Sequence, residues 1–264
     1  DAPEAGTGEQ RRGGPVPAWL GRLAEPLYRA AISRRNRRFD AGAGMERLGV
    51  PVISIGNLSV GGTGKTPMVM HVLRLLYEAG VRPCVAMRGY TRRTARGRPV
   101  PAARPRLLIE QAANELHPPE NFSDEADEYR RAFPEMPMVV RPDRIMGLRE
   151  LLEKPFQPRV DCVVLDDGFQ HRQIARDLDI VLLDASHPPM SDHLLPRGYL
   201  REPPESLRRA SCVIVTHAEL CGPGGMGEAA RELGDGAACG SFLELTSFIT
   251  RHHGRPPIAI TSHI

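Results

Sequence analysis

A glycine-rich loop is the strongest chemical signal in the sequence. It comprises Gly61, Gly62, Thr63, Gly64, Lys65 and Thr66, and we call it the phosphate loop. An apolar run, residues 50–55, precedes the loop, and a helical pattern begins at Met68. Glycines let backbone N–H groups turn toward phosphate oxygens, and a following helix directs the positive end of its dipole at them. The pattern predicts ATP bound through Lys65 and Mg²⁺ bound through Thr66; the alternative is a glycine-rich turn without a ligand.

Two features of the surrounding sequence bear on this prediction. The strict phosphate-loop pattern starts with Gly where this chain has Ser59, and Gly61 and Gly62 are extra glycines that compensate. Lys65 and Lys154 are the only lysines among 35 Lys and Arg residues. A lysine inside this loop therefore stands out against a background that otherwise uses Arg.

A pair of acids after an apolar run is the second signal. Residues 160–165 are mostly apolar, and Asp166 and Asp167 follow them directly. A carboxylate at a strand tip can meet the Mg²⁺ that a loop threonine holds, as in a Walker B arrangement. We therefore predict Thr66, Asp166 and Asp167 as metal ligands, and Lys65 and Asp167 as catalytic groups. Taken alone, two acids after a strand are equally typical of a helix cap or a turn.

Short apolar runs separated by helical patterns must position these groups. Continuously apolar runs are typical of strands buried on both faces, and helices between them favour parallel pairing. We predict an α/β fold of the P-loop NTPase type, with a mostly parallel sheet flanked by helices. Two Pro-rich intervals, residues 91–119 and 187–204, are expected to form long functional loops at the carboxyl edge of that sheet. The predicted strands are residues 50–55, 81–87, 138–140, 160–165, 180–183 and 212–215, and the predicted helices include residues 68–79 and 144–153.

The amino-terminal segment has two parts of different character. Residues 1–16 are rich in Gly, Pro and charge and are predicted to be disordered. Residues 17–40 carry Leu20, Leu23 and Leu27 at helical spacing together with several Arg, which predicts a basic amphipathic helix. Such a helix can lie in a membrane interface with its Arg on anionic headgroups, or it can pack on the sheet with a solvated basic face.

Bulk composition narrows the class of protein. The formal net charge of +3 is too small to imply a polyanion partner, so we expect no nucleic acid. No stretch approaches the roughly 18 to 20 apolar residues that span a bilayer, so we expect no transmembrane segment. The five cysteines are scattered singly, a pattern that is typical of buried thiols in a reducing cytosol.

Several strings together resemble one family, tetraacyldisaccharide 4′-kinase. The most specific is residues 56–67, Gly-Asn-Leu-Ser-Val-Gly-Gly-Thr-Gly-Lys-Thr-Pro, in which the serine at position 59 is usual for the family. The resemblance runs from about residue 28 to residue 216. Further matching strings are residues 35–37, 88–90, 123–125, 166–171, 194–198 and 200–203.

The resemblance implies a reaction, two cofactors and a location. Members of the family use ATP and Mg²⁺ to phosphorylate the 4′-hydroxyl of an acylated glucosamine disaccharide 1-phosphate, which gives lipid IVA. They act as peripheral proteins at the cytoplasmic face of the inner membrane. From the residues alone, two alternatives stay open: a nucleotide-dependent switch or metallochaperone-like protein without sugar kinase activity, and a membrane-binding module with a vestigial site. The sequence does not indicate an oligomeric state.

The resemblance also implies roles for individual residues. Asp124 is implied as the base that takes the hydroxyl proton, together with a carboxyl-terminal histidine whose context we do not find in this sequence. On its residues alone, Asp124 is equally typical of a helix cap before residues 125–131. A single Arg in so Arg-rich a chain is also typical of a solvated surface, and His171 could cap a loop. The implied substrate or phosphate contacts are Tyr90, Arg144, Gln170, His171, Arg201 and Glu202.

These observations divide the chain into four parts. We expect a disordered tail at residues 1–16 and a membrane-facing helix at residues 17–40. A kinase core is expected at residues 41–235, and the beginning of a smaller carboxyl-terminal lobe at residues 236–264. Because the last residues resemble a strand with nothing after it, we expect the chain to be a fragment.

Overall fold

Six parallel strands form one sheet in the computed structural model, which describes residues 15–88, 124–153 and 159–217. The strands are β1 (Val52–Asn57), β2 (Pro83–Met87), β3 (Met138–Val140), β4 (Cys162–Asp166), β5 (Leu178–Asp184) and β6 (Cys212–Thr216). The helices are α1 (Ala18–Asp40), α2 (Lys65–Glu78), α3 (Asp124–Ala132) and α4 (Arg144–Glu153), with short 3-10 helices at Pro189–Ser191 and Pro204–Arg209. The predictions for residues 1–14, 91–119 and 236–264 lie outside the described residues.

The sheet has the strand order β3-β2-β4-β1-β5-β6, and every neighbouring pair is parallel. The predicted parallel α/β sheet is confirmed, and the strand bounds differ from the predicted ones by at most a few residues. The strands are continuously apolar because most of their side chains are buried on both faces. Cys84, Cys162 and Cys212 lie in these strands and are buried, which agrees with the prediction from cysteine spacing.

Two apolar clusters identify the helices that cover each face. Leu73 of α2 and Tyr129 of α3 pack with Ile53 on one face of β1. Leu148 of α4 belongs to a second cluster with Val52, whose side chain points to the opposite face of the same strand. The phosphate loop leads into α2, so the first of these clusters fixes the direction in which the loop leaves the sheet.

β1 lies at the centre of the sheet between β4 and β5. Ile55 of β1 pairs with Asp166 of β4, so the carboxyl ends of these two strands are adjacent. From β1 the chain continues to β2, beyond β4, whereas β5 lies on the other side of β1. Ligands of open α/β sheets bind in the crevice at such a change of direction.

α1 turns a polar side toward the protein and an apolar side outward. Gly21 and Glu25 are its buried residues, and a Cβ added to Gly21 would lie 2.8 Å from the Arg197 Cα. Glu25 also forms an ion pair with Arg197 at 3.1 Å. In contrast, Leu23 and Leu27 are 67% and 75% exposed. The predicted helix is therefore present, but these leucines do not pack on the sheet.

The Pro-rich interval 187–204 follows β5 and returns to the phosphate loop. The Val60 N–H donates to the Tyr199 carbonyl oxygen at 2.8 Å, and the Arg201 N–H donates to the Leu58 carbonyl oxygen at 2.7 Å. Both contacts lie just after the carboxyl end of β1. This interval is therefore at the predicted edge of the sheet, where it can contribute side chains to a ligand site.

Candidate active site

The phosphate loop connects the end of β1 to the start of α2. Gly64 directly precedes α2 and has φ 75°, and Gly61 has φ 139°. Residues with a side chain rarely adopt such positive values, so these two turns require glycine. α2 begins at Lys65, which puts the N–H groups and the positive dipole end of the helix at the loop. This geometry favours an anion such as phosphate.

Two residues that sequence reasoning did not single out hold the loop in place. Asn57 Nδ2 donates to Thr63 Oγ1 at 2.8 Å, and Thr216 Oγ1 donates to the Thr63 carbonyl oxygen at 3.3 Å. Asn57 and Thr216 are the last residues of β1 and β6, so two strand tips anchor the loop. Asn57 stands in the string that carried the family resemblance, which could have identified it. Thr216 becomes a neighbour of the loop only through the folded sheet.

Lys65 brings the loop and the strand-tip acids together. Its Nζ lies 3.7 Å from Asp167 Oδ1 and 3.5 Å from the Gly61 carbonyl oxygen. Asp167 has φ 50°, in the left-handed region, and its Oδ1 is buried with no hydrogen-bond partner among the described residues. A strained backbone and an unsatisfied buried oxygen at one residue are typical of a ligand site.

Arg201 contacts the other oxygen of Asp167. Arg201 Nη1 donates to Asp167 Oδ2 at 2.7 Å and to Gln170 Oε1 at 3.4 Å. Gln170 Nε2 in turn donates to the Asn57 carbonyl oxygen at 2.8 Å. The structure thus brings four of the predicted site residues, Lys65, Asp167, Gln170 and Arg201, into one cluster beside the phosphate loop.

The two strand-tip acids have opposite pKa shifts. Burial, together with the charge of Glu125, raises the pKa of Asp166 to about 6. Burial also acts on Asp167, but the cations Arg201 and Lys65 outweigh it and hold the pKa of Asp167 below its usual range. Asp167 is therefore the more firmly ionised of the two acids at neutral pH.

Tyr129 of α3 contacts Asp166 and was not predicted as a site residue. Tyr129 is 0% exposed, and its hydroxyl donates to Asp166 Oδ2 at 3.1 Å. α3 begins at Asp124, whose side chain lies outside what the structure describes, and Tyr90 also lies outside the described residues. No spacing in the sequence relates Tyr129 to Asp166, because only the packing of α3 on the sheet brings them together.

The residues predicted to bind Mg²⁺ fit that ion by type and charge. Thr66 and Asp166 both interact with Tyr129, and the buried Oδ1 of Asp167 has no hydrogen-bond donor in the described part of the chain. The described residues contain no group of three or more His, Cys, Asp or Glu that could hold a metal by itself. Mg²⁺ does not need such a group, because it keeps several waters and binds through one or two carboxylates and substrate phosphates.

A cavity of about 610 Å³ opens beside this cluster. Arg144, which is buried at the start of α4, donates from Nη1 to the Asp167 carbonyl oxygen at 3.3 Å. Burial and the cations Arg144 and Arg176 lower the pKa of His171 to about 4, so His171 is neutral at pH 7. The residues that line the cavity include Tyr28, Ile32, Arg35, Arg88, Arg144, Asp167, Gln170, His171 and Arg201.

Glu202 is fully buried and is not among the residues that line this cavity. Its carboxylate accepts hydrogen bonds from two residues of α1, Arg35 Nη2 at 2.8 Å and Asn36 Nδ2 at 2.9 Å. It also accepts from Arg209 Nη1 at 2.9 Å. These contacts fasten α1 to the residue that follows Arg201, and a direct contact of Glu202 to substrate stays a prediction.

Comparison with known proteins gives a consistent set of relatives. Residues 17–235 match the family model LpxK, described as tetraacyldisaccharide-1-P 4′-kinase. Tetraacyldisaccharide 4′-kinase from Anaeromyxobacter dehalogenans (strain 2CP-C) is 41% identical over 218 residues, which are 81% of this chain and 54% of that protein. Tetraacyldisaccharide 4′-kinase from Parabacteroides distasonis is 40% identical over 196 residues, which are 74% of this chain and 49% of that protein.

One solved structure adds similarity in three dimensions. It is the "apo" form of LpxK from Aquifex aeolicus in complex with ATP, with a TM-score of 0.59 and 36% sequence identity to this chain. The match covers 75% of this chain and 58% of that chain. Taken with the sequence relatives, this means that the chain spans about half the length of the curated relatives it matches.

Proposed function

Because the chain belongs to the LpxK family of tetraacyldisaccharide-1-P 4′-kinases, we propose that it transfers the γ-phosphoryl group of ATP to the 4′-hydroxyl of an acylated glucosamine disaccharide 1-phosphate. The product of this reaction is lipid IVA. The observation that carries the proposal is the 3.7 Å separation between Lys65 Nζ and Asp167 Oδ1. That contact joins a phosphate loop at a helix amino terminus to acids that can share a metal ion.

The phosphate loop is the proposed ATP site. Backbone N–H groups of residues 61–66 and the ammonium of Lys65 bind the phosphates, because the positive φ values of the loop glycines and the start of α2 favour an anion there. Thr66, Asp166 and Asp167 hold Mg²⁺, which supplies neutralisation of the charge on the phosphates. The ATP complex of the Aquifex aeolicus relative supports nucleotide binding in this fold.

Arg201 and Gln170 complete the site on its other side. The 2.7 Å hydrogen bond from Arg201 Nη1 to Asp167 Oδ2 favours the ionised carboxylate, which is the form that binds a metal cation. Gln170 contacts Arg201 and the end of β1, so it fixes the guanidinium relative to the loop. A cation held in this way also stabilises negative charge on the transferred group.

The cavity beside the acids is the proposed acceptor site. Arg144, Arg35 and Arg88 line it, and the planar fork of Arg suits a phosphate group such as the 1-phosphate of the acceptor. His171 is neutral and can therefore exchange hydrogen bonds with sugar hydroxyls. Asp124 is the proposed base that takes the proton of the attacking hydroxyl.

The outward apolar side of α1 supports docking on the inner-membrane surface from the cytoplasm. Trp19, Leu23 and Leu27 are 66%, 67% and 75% exposed, whereas Glu25 is buried. A helix that only packed on the sheet would bury these apolar side chains instead. Arg residues of α1 add attraction to anionic headgroups, at about 1 kcal/mol each near the surface. Within residues 15–88, 124–153 and 159–217, no helix has the length and apolar character needed to cross a bilayer.

Acceptor-dependent label transfer tests the proposed reaction. The purified protein is incubated with Mg²⁺, [γ-³²P]ATP and tetraacyldisaccharide 1-phosphate in mixed micelles, and the lipid fraction is counted. We expect labelled lipid only when protein and acceptor are both present. ATP hydrolysis at the same rate with and without acceptor, and no labelled lipid, would contradict the kinase and favour a nucleotide-dependent switch.

A further inference from the structure

Tyr129 is a buried polar residue that the proposed reaction does not use. It is 0% exposed, and its hydroxyl donates to Asp166 Oδ2 at 3.1 Å. A phenol is protonated at neutral pH, so the hydroxyl is a hydrogen-bond donor to the carboxylate.

The Tyr129 hydroxyl has a second neighbour in the site. It also interacts with Thr66, in the first turn of α2. One phenol from α3 thus contacts a residue of the phosphate loop and an acid at the tip of β4. Thr66 and Asp166 are two of the three residues proposed to hold Mg²⁺.

We propose that Tyr129 is a positioning residue for the magnesium site and that it acts through its hydrogen bond to Asp166. This inference rests on the proposed function, since it requires that Thr66 and Asp166 bind the ion. A hydrogen bond on Oδ2 fixes the orientation of the Asp166 carboxylate, so that Oδ1 can bind the metal ion. Partners that orient metal ligands in this way contribute strongly to metal affinity. Because Tyr129 is fully buried, bulk water does not replace its hydroxyl when the hydroxyl is removed.

The location of Tyr129 on α3 has a further consequence for catalysis. α3 begins at Asp124, the proposed base, and the Tyr129–Asp166 hydrogen bond ties this helix to the tip of β4. The bond therefore fixes the helix that carries the base relative to the metal ligands. Removal of the hydroxyl is expected to lower kcat more than it raises the KM for ATP, because the phosphate loop itself is retained.

Metal binding by a Tyr129→Phe variant of the full chain tests this role. Phe keeps the ring in the core and removes only the hydroxyl. Mn²⁺ binding is measured by electron paramagnetic resonance in the presence of a non-hydrolysable ATP analogue. Loss of a group that orients a metal ligand weakens binding by about 10- to 100-fold, so we expect Mn²⁺ affinity to fall at least about tenfold. Tyr77→Phe is the matched control, since Tyr77 is 38% exposed and stacks on Phe133. We expect the Tyr77→Phe variant to bind Mn²⁺ with wild-type affinity.

An Asp166→Asn background separates positioning from packing. If Tyr129 acts through Asp166, adding Tyr129→Phe to Asp166→Asn leaves the remaining Mn²⁺ affinity unchanged. This comparison decides the question even if the single Tyr129→Phe variant proves unstable in thermal unfolding. In the Asn background, residue 166 carries no buried charge that could lose its hydrogen-bond donor when the Tyr129 hydroxyl is removed. Equal Mn²⁺ affinity in wild type and Tyr129→Phe, or a further loss in the Asn background, would overturn the inference. If the wild type shows no nucleotide-dependent Mn²⁺ binding, the proposed function fails instead.

Discussion

The ammonium of Lys65 lies 3.7 Å from Asp167 Oδ1. Lys65 is the first residue of α2 and Asp167 directly follows β4, so this contact joins two elements across the crevice of the sheet. The two side chains are 15% and 19% exposed, and limited contact with water strengthens the attraction between them. In the proposed reaction, the terminal phosphates of ATP bind at Lys65 and the metal ion binds at Asp167.

Lys65→Ala is expected to abolish phosphoryl transfer and leave the fold intact. The substitution removes the cation at the β- and γ-phosphates, and we expect kcat/KM to fall by at least about 100-fold. Label transfer to the lipid acceptor measures the effect, and thermal unfolding checks the fold. Arg74→Ala removes an exposed cation from the same helix and is expected to keep wild-type activity. Near-normal transfer by Lys65→Ala would refute the role of the loop.

Glu202→Gln is expected to destabilise the protein by about 3 kcal/mol, because it leaves the cations that contact this buried carboxylate without their charge partner. Chemical denaturation measures the free energy of unfolding. Glu150→Gln is the matched control: the Glu150 side chain, which pairs with Arg141, is 46% exposed, so loss of this ion pair is expected to cost less than about 1 kcal/mol. Equal effects of the two substitutions would show that Glu202 does not fasten α1.

A double substitution, Leu23→Ser with Leu27→Ser, is expected to weaken binding to anionic vesicles by at least about tenfold. Both leucines are exposed on α1, so the fold should be unaffected. Vesicle co-sedimentation measures the binding, and Met146→Ser, at an exposed position on α4, is the control. Vesicle binding that is unchanged by the double substitution would contradict a membrane role for α1.

Deletion of residues 1–38 is also expected to weaken vesicle binding in a salt-dependent way. This deletion would also remove Arg35, which contacts Glu202.

Asp166→Asn is expected to stabilise the metal-free protein at about pH 8. Burial raises the pKa of Asp166 from 3.8 to about 6, so between these values the folded state binds a proton that the unfolded state has released. Wild-type stability therefore falls as pH rises through this window and stays lower above it. The shift corresponds to about 2 to 3 kcal/mol, which the neutral Asn recovers. Thermal unfolding in EDTA at about pH 4 and pH 8 measures it, and an equal difference at both pH values would contradict the prediction.

Sequence patterns predicted the sheet well because its strands are buried on both faces. β3 has the predicted bounds, since Pro137 and Arg141 delimit a short apolar run. α2 begins at Lys65 rather than at Met68, because the first turn of a helix after a phosphate loop carries no apolar periodicity. The loop and the strand-tip acids were found because each is a local pattern.

Contacts between distant parts of the chain could not be predicted in this way. Tyr129 reaches Asp166 only because α3 packs on the same face as α2. Helical periodicity identified the apolar side of α1 but not the side that faces the protein, which the Glu25–Arg197 ion pair and the close approach of Gly21 decide.

A crystal structure of the protein with a non-hydrolysable ATP analogue and Mn²⁺ tests the proposed nucleotide and metal site. We predict that the β- and γ-phosphates lie on the backbone N–H groups of residues 61–66 and contact Lys65. We also predict an anomalous Mn²⁺ peak bound by Thr66 and by Asp166 or Asp167. A nucleotide bound elsewhere, with no metal ion between Thr66 and the two acids, would show that the phosphate loop is not the ATP site.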